Sequence, residues 1–75
     1  MTYEILVEDG FGTVRNQFQY QTLNEAKRIA KDAARHEQGR ALISEDNAVV
    51  IEYKYEDGRV RGYDDLGNQV SGLEL

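Results

Sequence analysis

The stretch Ala48-Val49-Val50-Ile51-Glu52-Tyr53-Lys54-Tyr55-Glu56-Asp57-Gly58-Arg59-Val60 decides the fold. Val49, Ile51, Tyr53 and Tyr55 fall on one face of an extended chain; Val50, Glu52, Lys54 and Glu56 fall on the other. A period of two is that of a strand with one buried face. Asp57-Gly58 follows directly. A type I′ hairpin turn needs positive φ at both central residues, which Asp-Gly supplies at little cost. Such a turn pairs Glu56 with Arg59 and Tyr55 with Val60, and sets Tyr53 against Gly62. The stretch is therefore an antiparallel hairpin, and the rest of the chain is arranged around it.

Upstream, Asp46-Asn47 is a second turn signal. Residues 40–45 before it form a short strand with Leu42 or Ile43 inward. Thr22-Leu23-Asn24-Glu25 is a capping box: the Thr22 hydroxyl accepts from the Glu25 N–H, and the Glu25 carboxylate reaches back to the Thr22 N–H. The helix it opens runs to His36 or Glu37, with Gly39 as the expected C′ stop. Leu23, Ala26, Ile29, Ala30, Ala33 and Ala34 form its apolar stripe. Four alanines let the helix axis sit close to the sheet, so bulk must come from Tyr, Phe and Ile on the strands. At the N-terminus, Tyr3, Ile5 and Val7 alternate with Glu4, Leu6 and Glu8. Asp9-Gly10-Phe11-Gly12 reads as a turn, and residues 13–20 alternate again with Val14, Phe18 and Tyr20 on one face. Pairing Glu8 with Thr13 sets Val7 against Val14 and Tyr3 against Phe18. Downstream, residues 63–70 contain a further turn. Leu73 and Leu75 in the tail need burial or a partner.

The order is ββαβββ, an α+β fold: an antiparallel sheet of four to five strands with one helix packed on one face, in a single domain spanning 1–75. The chain has 75 residues, no Cys, no Pro and no Trp. Without a thiol there is no disulfide scaffold and no zinc-ribbon or iron–sulfur site, and one His cannot make a His-rich metal site. No apolar run reaches the roughly 18 residues of a membrane span. Met1-Thr2-Tyr3-Glu4 lacks a basic leader, so a cytoplasmic protein is expected. No cofactor is expected either, because neither standard glycine-rich phosphate loop is present.

Chemistry-bearing residues are sparse. The acids pair as Glu8-Asp9, Glu45-Asp46, Glu56-Asp57 and Asp64-Asp65, but the calcium-loop spacing is absent and Asp favours turns for its own reasons. His36 is the only conventional base near neutral pH. Ser44, Ser71 and Thr22 have no sequence link to it, so no nucleophile–base–orienter set forms. An enzyme is therefore not expected. Gly58-Arg59-Val60-Arg61-Gly62 and Gly67-Asn68-Gln69-Val70-Ser71-Gly72 look like two glycine-led units, and are read as successive turns.

Charge is uneven along the chain. The net charge of −5 divides into −2 for residues 1–21, +2 for residues 22–40 and −5 for residues 41–75. A mildly basic helix is thus expected on an acidic hairpin sheet.

Thr22-Leu23-Asn24-Glu25-Ala26, Ala30-Lys31, Ala41-Leu42-Ile43 and Asp57-Gly58-Arg59-Val60 together resemble a family of short uncharacterised bacterial ββαββ domains. These share a Thr-x-x-Glu-Ala helix start and a hairpin closing at Asp-Gly. The resemblance covers about residues 20–62 and departs between Ile43 and Asp57, where the family's hairpin is shorter. It implies the fold order and brings no site residues. Tyr63-Asp64-Asp65-Leu66-Gly67-Asn68 resembles one unit of the tyrosine–aspartate repeat proteins, which need many tandem copies.

The leading functional expectation is a non-enzymatic, acidic protein-binding module. Its candidate contact residues are Glu52, Glu56, Asp57, Asp64, Asp65, Leu73 and Leu75, and its expected partner is a basic or nucleic-acid-handling protein. Small phage-encoded inhibitors of bacterial defence systems are similar in size, acidity and lack of cysteine. The alternatives are nucleic-acid binding through Lys27, Arg28, Lys31, Arg35 and Arg40, which the net charge opposes, and a homodimer in which Leu73 and Leu75 cover a sheet edge.

Overall fold

A computed structural model describes residues 2–69. It contains β1 (Tyr3–Glu8), β2 (Val14–Tyr20), α1 (Leu23–Glu37), β3 (Arg40–Glu45), β4 (Ala48–Glu56) and β5 (Arg59–Asp64). The five strands form one sheet in the order β2-β1-β3-β4-β5, with every neighbouring pair antiparallel. This is the α+β architecture the periodicities predict. Leu73 and Leu75 lie outside the described residues.

β2 and β3 both flank β1, so they run parallel to each other, and α1 is the crossover between them. The helix starts as expected. Thr22 is the N-cap, and its hydroxyl accepts from the Glu25 N–H at 3.3 Å. Ala26, Ala30 and Ala34 are fully buried against Ile5, Val7, Ala41, Ile43 and Tyr53. The buried helix side chains are all alanine, and the bulk of the core comes from the sheet. Tyr53 is the largest fully buried side chain, and it has Ala41 and Gly62 as its cross-strand neighbours. A wide ring between two small residues fills the space they leave. Its hydroxyl finds no hydrogen-bond partner among the described residues, and burial raises the phenol's pKa above the ordinary value.

Asp57-Gly58 closes β4 onto β5 in the expected register: Glu56 with Arg59, Tyr55 with Val60, Tyr53 with Gly62. Positive φ at Asp57 (53°) and Gly58 (79°), and at Asp46 (53°) and Asn47 (66°), marks both two-residue turns. Of Leu42 and Ile43, Ile43 is the buried one.

Three local expectations are corrected. Glu8 pairs with Val14, not Thr13, and a bulge at Arg15 then sets Val7 against Asn16, Ile5 against Phe18 and Tyr3 against Tyr20. One extra residue reverses the face of everything beyond it. Val14 consequently lies opposite Glu8 on the helix-free face, 50% exposed, and does not meet Val7. A second bulge, at Val50, pairs Val49 with Ser44 and leaves Val49 40% exposed, on the face away from Ile51 and Tyr53. The third correction concerns the helix end. The left-handed residue there is Gln38 (φ 52°), and the Gly39 N–H bonds the Ala34 carbonyl at 3.1 Å. Gly39 is glycine for a different reason: a Cβ there would stand 2.0 Å from the Glu8 carbonyl oxygen. The Gly39 carbonyl also accepts from the Tyr55 N–H at 2.8 Å, which ties the helix exit to β4.

Candidate protein-binding surface

Antiparallel pairing decides where each charge goes. β1 runs from Tyr3 to Glu8, and register places Glu8 level with Arg40, Lys54 and Arg61. Tyr3 at the other extreme is level with Tyr20 and Glu45. The sheet therefore has a Glu8 end and a Tyr3 end. α1 leaves β2 at the Tyr3 end and delivers the chain to β3 at the Glu8 end.

All five bases on the strands, Arg15, Arg40, Lys54, Arg59 and Arg61, lie toward the Glu8 end. They are accompanied there by acids. Arg40 lies between two carboxylates, with Nε 2.7 Å from Glu8 Oε1 and Nη1 3.2 Å from Glu52 Oε2. The hydrogen bond to Glu8 is the main reason its pKa is raised. The Tyr63 hydroxyl donates to Glu56 Oε1 at 2.5 Å, and that bond is the main cause of its raised pKa. Lys54 Nζ lies 5.3 Å from the Tyr63 ring centroid, and Arg61 is 3.9 Å from Asp57. These groups cover the helix-free face of the sheet and neutralise one another across strands.

The Tyr3 end differs. Glu4 and Glu45 lie on its strands, Asp46 in the β3–β4 turn, and Asp64 and Asp65 at the end of β5. Among the described residues, no Lys or Arg stands on a strand or turn there. Glu45 is the closest to being internal. One of its carboxylate oxygens is buried without a hydrogen-bond partner among the described residues, and its charge is one reason, after burial, that the Tyr3 phenol's pKa is raised.

Two loops at opposite ends of the sheet share one design. Asp9 Oδ1 accepts from the Phe11 and Thr13 N–H groups at 2.9 and 3.0 Å, and the Asp9 N–H donates to the Thr13 carbonyl at 2.9 Å. Asp64 Oδ1 accepts from Leu66 and Asn68, both at 2.9 Å, and the Asp64 N–H donates to the Asn68 carbonyl at 2.9 Å. Gly12 and Gly67 both have φ 84°. Each loop lifts a large apolar side chain into solvent: Phe11 is 96% exposed and Leu66 80%. These backbone hydrogen bonds lower the pKa of Asp9. The internal repeat of this chain is thus Asp-x-Phe/Leu-Gly-Thr/Asn, not the glycine-led units around Gly58 and Gly67.

The candidate acids do not form one patch. Glu52 is bound to Arg40, Glu56 to Tyr63, and Asp57 sits beside Arg61 at the Glu8 end. Asp64 and Asp65 belong to the Tyr3 end, where Glu4, Glu45 and Asp46 join them. The candidate bases are divided as well. Arg28, Lys31 and Arg35 are exposed on the helix, while Arg40 lies on the opposite face of the sheet. Arg35 also pairs with Asp32 at 3.1 Å. Lys27 is half-buried. Glu4, Glu45 and Asp46 were not among the sequence candidates, because their place at one end with Asp64 and Asp65 follows only from strand direction and sheet order.

No group of three or more His, Cys, Asp or Glu able to hold a metal ion occurs among the described residues. No helix of the described residues is long and apolar enough to cross a membrane. The chain matches no family model, no curated protein and no solved structure.

Proposed function

We propose that this chain is a non-enzymatic protein-binding module that docks the Tyr3 end of its sheet on a basic surface of a partner, blocking that surface in the manner of a small phage- or mobile-element-type inhibitor. The carrying observation is the group Glu4, Glu45, Asp46, Asp64 and Asp65 at the Tyr3 end, in contrast to the Glu8 end, where Arg40 pairs with Glu8 and Glu52 and Tyr63 with Glu56. Carboxylates clustered on a sheet end raise the on-rate toward a positive surface. A nucleic-acid-handling protein offers such a surface.

The test is a pull-down with the full chain from its native host, followed by titration of the captured protein. Glu4→Gln/Asp46→Asn/Asp65→Asn removes three charges and keeps turn-compatible residues. It is expected to weaken binding tenfold or more (about 1.4 kcal/mol), with a flatter salt dependence than the unaltered chain. Asp57→Asn at the other end is expected to leave affinity unchanged. Binding that is insensitive to the triple substitution, or to ionic strength, overturns the reading. A low-salt complex with nucleic acid and none with protein would replace it with the helix-based alternative.

A further inference from the structure

The chain contains two Asp-Gly steps, Asp9-Gly10 and Asp57-Gly58. At such a step the backbone can close on its own side chain, because glycine has no Cβ to shield its amide nitrogen. The fold treats the two steps differently. Asp9 is tied into its loop. Its Oδ1 accepts from the Phe11 and Thr13 N–H groups, and its own N–H donates to the Thr13 carbonyl. Gly10 is packed against the helix exit: a Cβ there would stand 3.0 Å from the Gln38 carbonyl oxygen. Asp57 is held by much less. Its side chain is 87% exposed, and its ion pair with Arg61 is long, at 3.9 Å. A Cβ on Gly58 would meet nothing within 4 Å. The turn is the tip of the β4–β5 hairpin, where local opening releases only the terminal pair of Glu56 and Arg59.

We propose that Asp57-Gly58 is a site of spontaneous isoaspartate formation, and that the Asp9 loop protects Asp9-Gly10 from the same reaction. When the hairpin tip opens, the Gly58 nitrogen attacks Cγ of the protonated Asp57 carboxyl. A Cγ–N bond forms, the Cγ–OH bond breaks, and the hydroxyl leaves as water with the amide proton. The product is a five-membered succinimide. Water then adds at the Asp57 backbone carbonyl carbon and breaks its bond to the Gly58 nitrogen. The main chain now runs through Cβ and Cγ and is one atom longer, and the former backbone carbonyl is a free carboxylate. Solvent water is the only co-reactant, and the net charge is unchanged. The extra atom does not fit a two-residue turn whose positive φ at Asp57 and Gly58 sets the β4–β5 register. At Asp9, ring closure requires the carboxylate to surrender two N–H bonds. It must also take up a proton against a pKa that the Thr13 and Phe11 amides hold below the ordinary value.

Ageing of the full chain at mildly acidic pH, followed by peptide mapping with electron-transfer fragmentation, measures isoaspartate at each step without any partner. In the folded chain, conversion at Asp57 is expected to run about tenfold or more faster than at Asp9. In urea, which releases both loops, the two rates are expected to converge. Asp57→Asn keeps a turn-compatible Asn-Gly and expels ammonia in place of water, so isoaspartate at this position should accumulate faster still in the folded chain. The aged fraction is expected to lose amide exchange protection at Glu56 and Arg59. Equal rates at the two steps in the folded chain, or faster conversion at Asp9, overturn the inference. So does a folded Asp57→Asn chain that stays intact. A rate difference that persists unchanged in urea overturns it as well, because the protection would then belong to the local sequence and not to the loop.

Discussion

The two ends of the sheet are built from the same few residue types and differ electrostatically. At the Glu8 end, acids and bases are interleaved across strands. Arg40 bridges Glu8 of one strand and Glu52 of another, and Tyr63 serves Glu56. At the Tyr3 end, the acids have no base beside them on a strand or turn of the described residues. Charge in this protein is therefore organised along the strand direction and not by element. The sequence blocks, a basic helix and an acidic second half, are averages over both ends. β4 alone carries Lys54 and Glu56 toward one end and leads from Asp46 at the other.

The sharpest way to break the comparison is to disturb the Glu8 end, where packing and pairing coincide. Gly39→Ala puts a Cβ 2.0 Å from the Glu8 carbonyl oxygen. Neither neighbour there is a flexible side-chain tip, so the helix exit must separate from β1. The expected loss is about 3 kcal/mol or more in urea denaturation. For a domain of this size, that is a large part of the total. Arg40→Ala comes next. It leaves Glu8 and Glu52 facing each other across β3, and the expected loss is about 1 kcal/mol, because the guanidinium is substantially exposed and screened. High salt should shrink that difference.

Tyr53→Phe probes the core that joins the two ends. It removes a buried hydroxyl with no partner among the described residues while keeping the ring against Ala41 and Gly62. Stability is expected to be unchanged or to rise by about 1 kcal/mol. A clear loss on thermal unfolding would show that the hydroxyl is bonded in solution. The smallest effect is the titration of Asp9. Its folded-state pKa is depressed, so the stabilisation from its loop bonds is present above the unfolded-state value and is lost as pH falls through the folded-state value. The Phe11 and Thr13 amide resonances should report this with a midpoint below 3.8.

Much of the fold is legible from local rules. Thr22 and Glu25 mark the helix start, because a cap satisfies an orphan N–H without reference to the rest of the molecule. Asp57-Gly58 determines a register, because a two-residue turn leaves only one pairing. The bulges at Arg15 and Val50 were not legible. Residues 13–20 and 48–56 alternate almost perfectly, and nothing in that pattern says that one residue is skipped. In the first hairpin the Asp9 loop shifts the pairing by one residue, so Val14 ends on the helix-free face. Gly39 was legible as a glycine that matters, but for the wrong reason. Its requirement is the approach of the Glu8 backbone, 31 residues away in sequence.

The candidate site divides in the same way. Asp64 and Asp65 were visible as an acidic pair at a strand end. Glu45-Asp46 was visible as a pair too, but that Glu4 and the two pairs share one end of the sheet was not, because only the β1–β3 pairing created by the helical crossover brings them there. Taken alone, the sequence determined the element order, the helix cap, the two tight turns and an alanine stripe that demands a bulky sheet, since each depends on contacts within a few residues. Tertiary structure decided which end of the sheet each charge occupies, which carboxylates find a base, and which edge strand is left open. Those outcomes depend on strand order and direction, which only burial of the shared core selects.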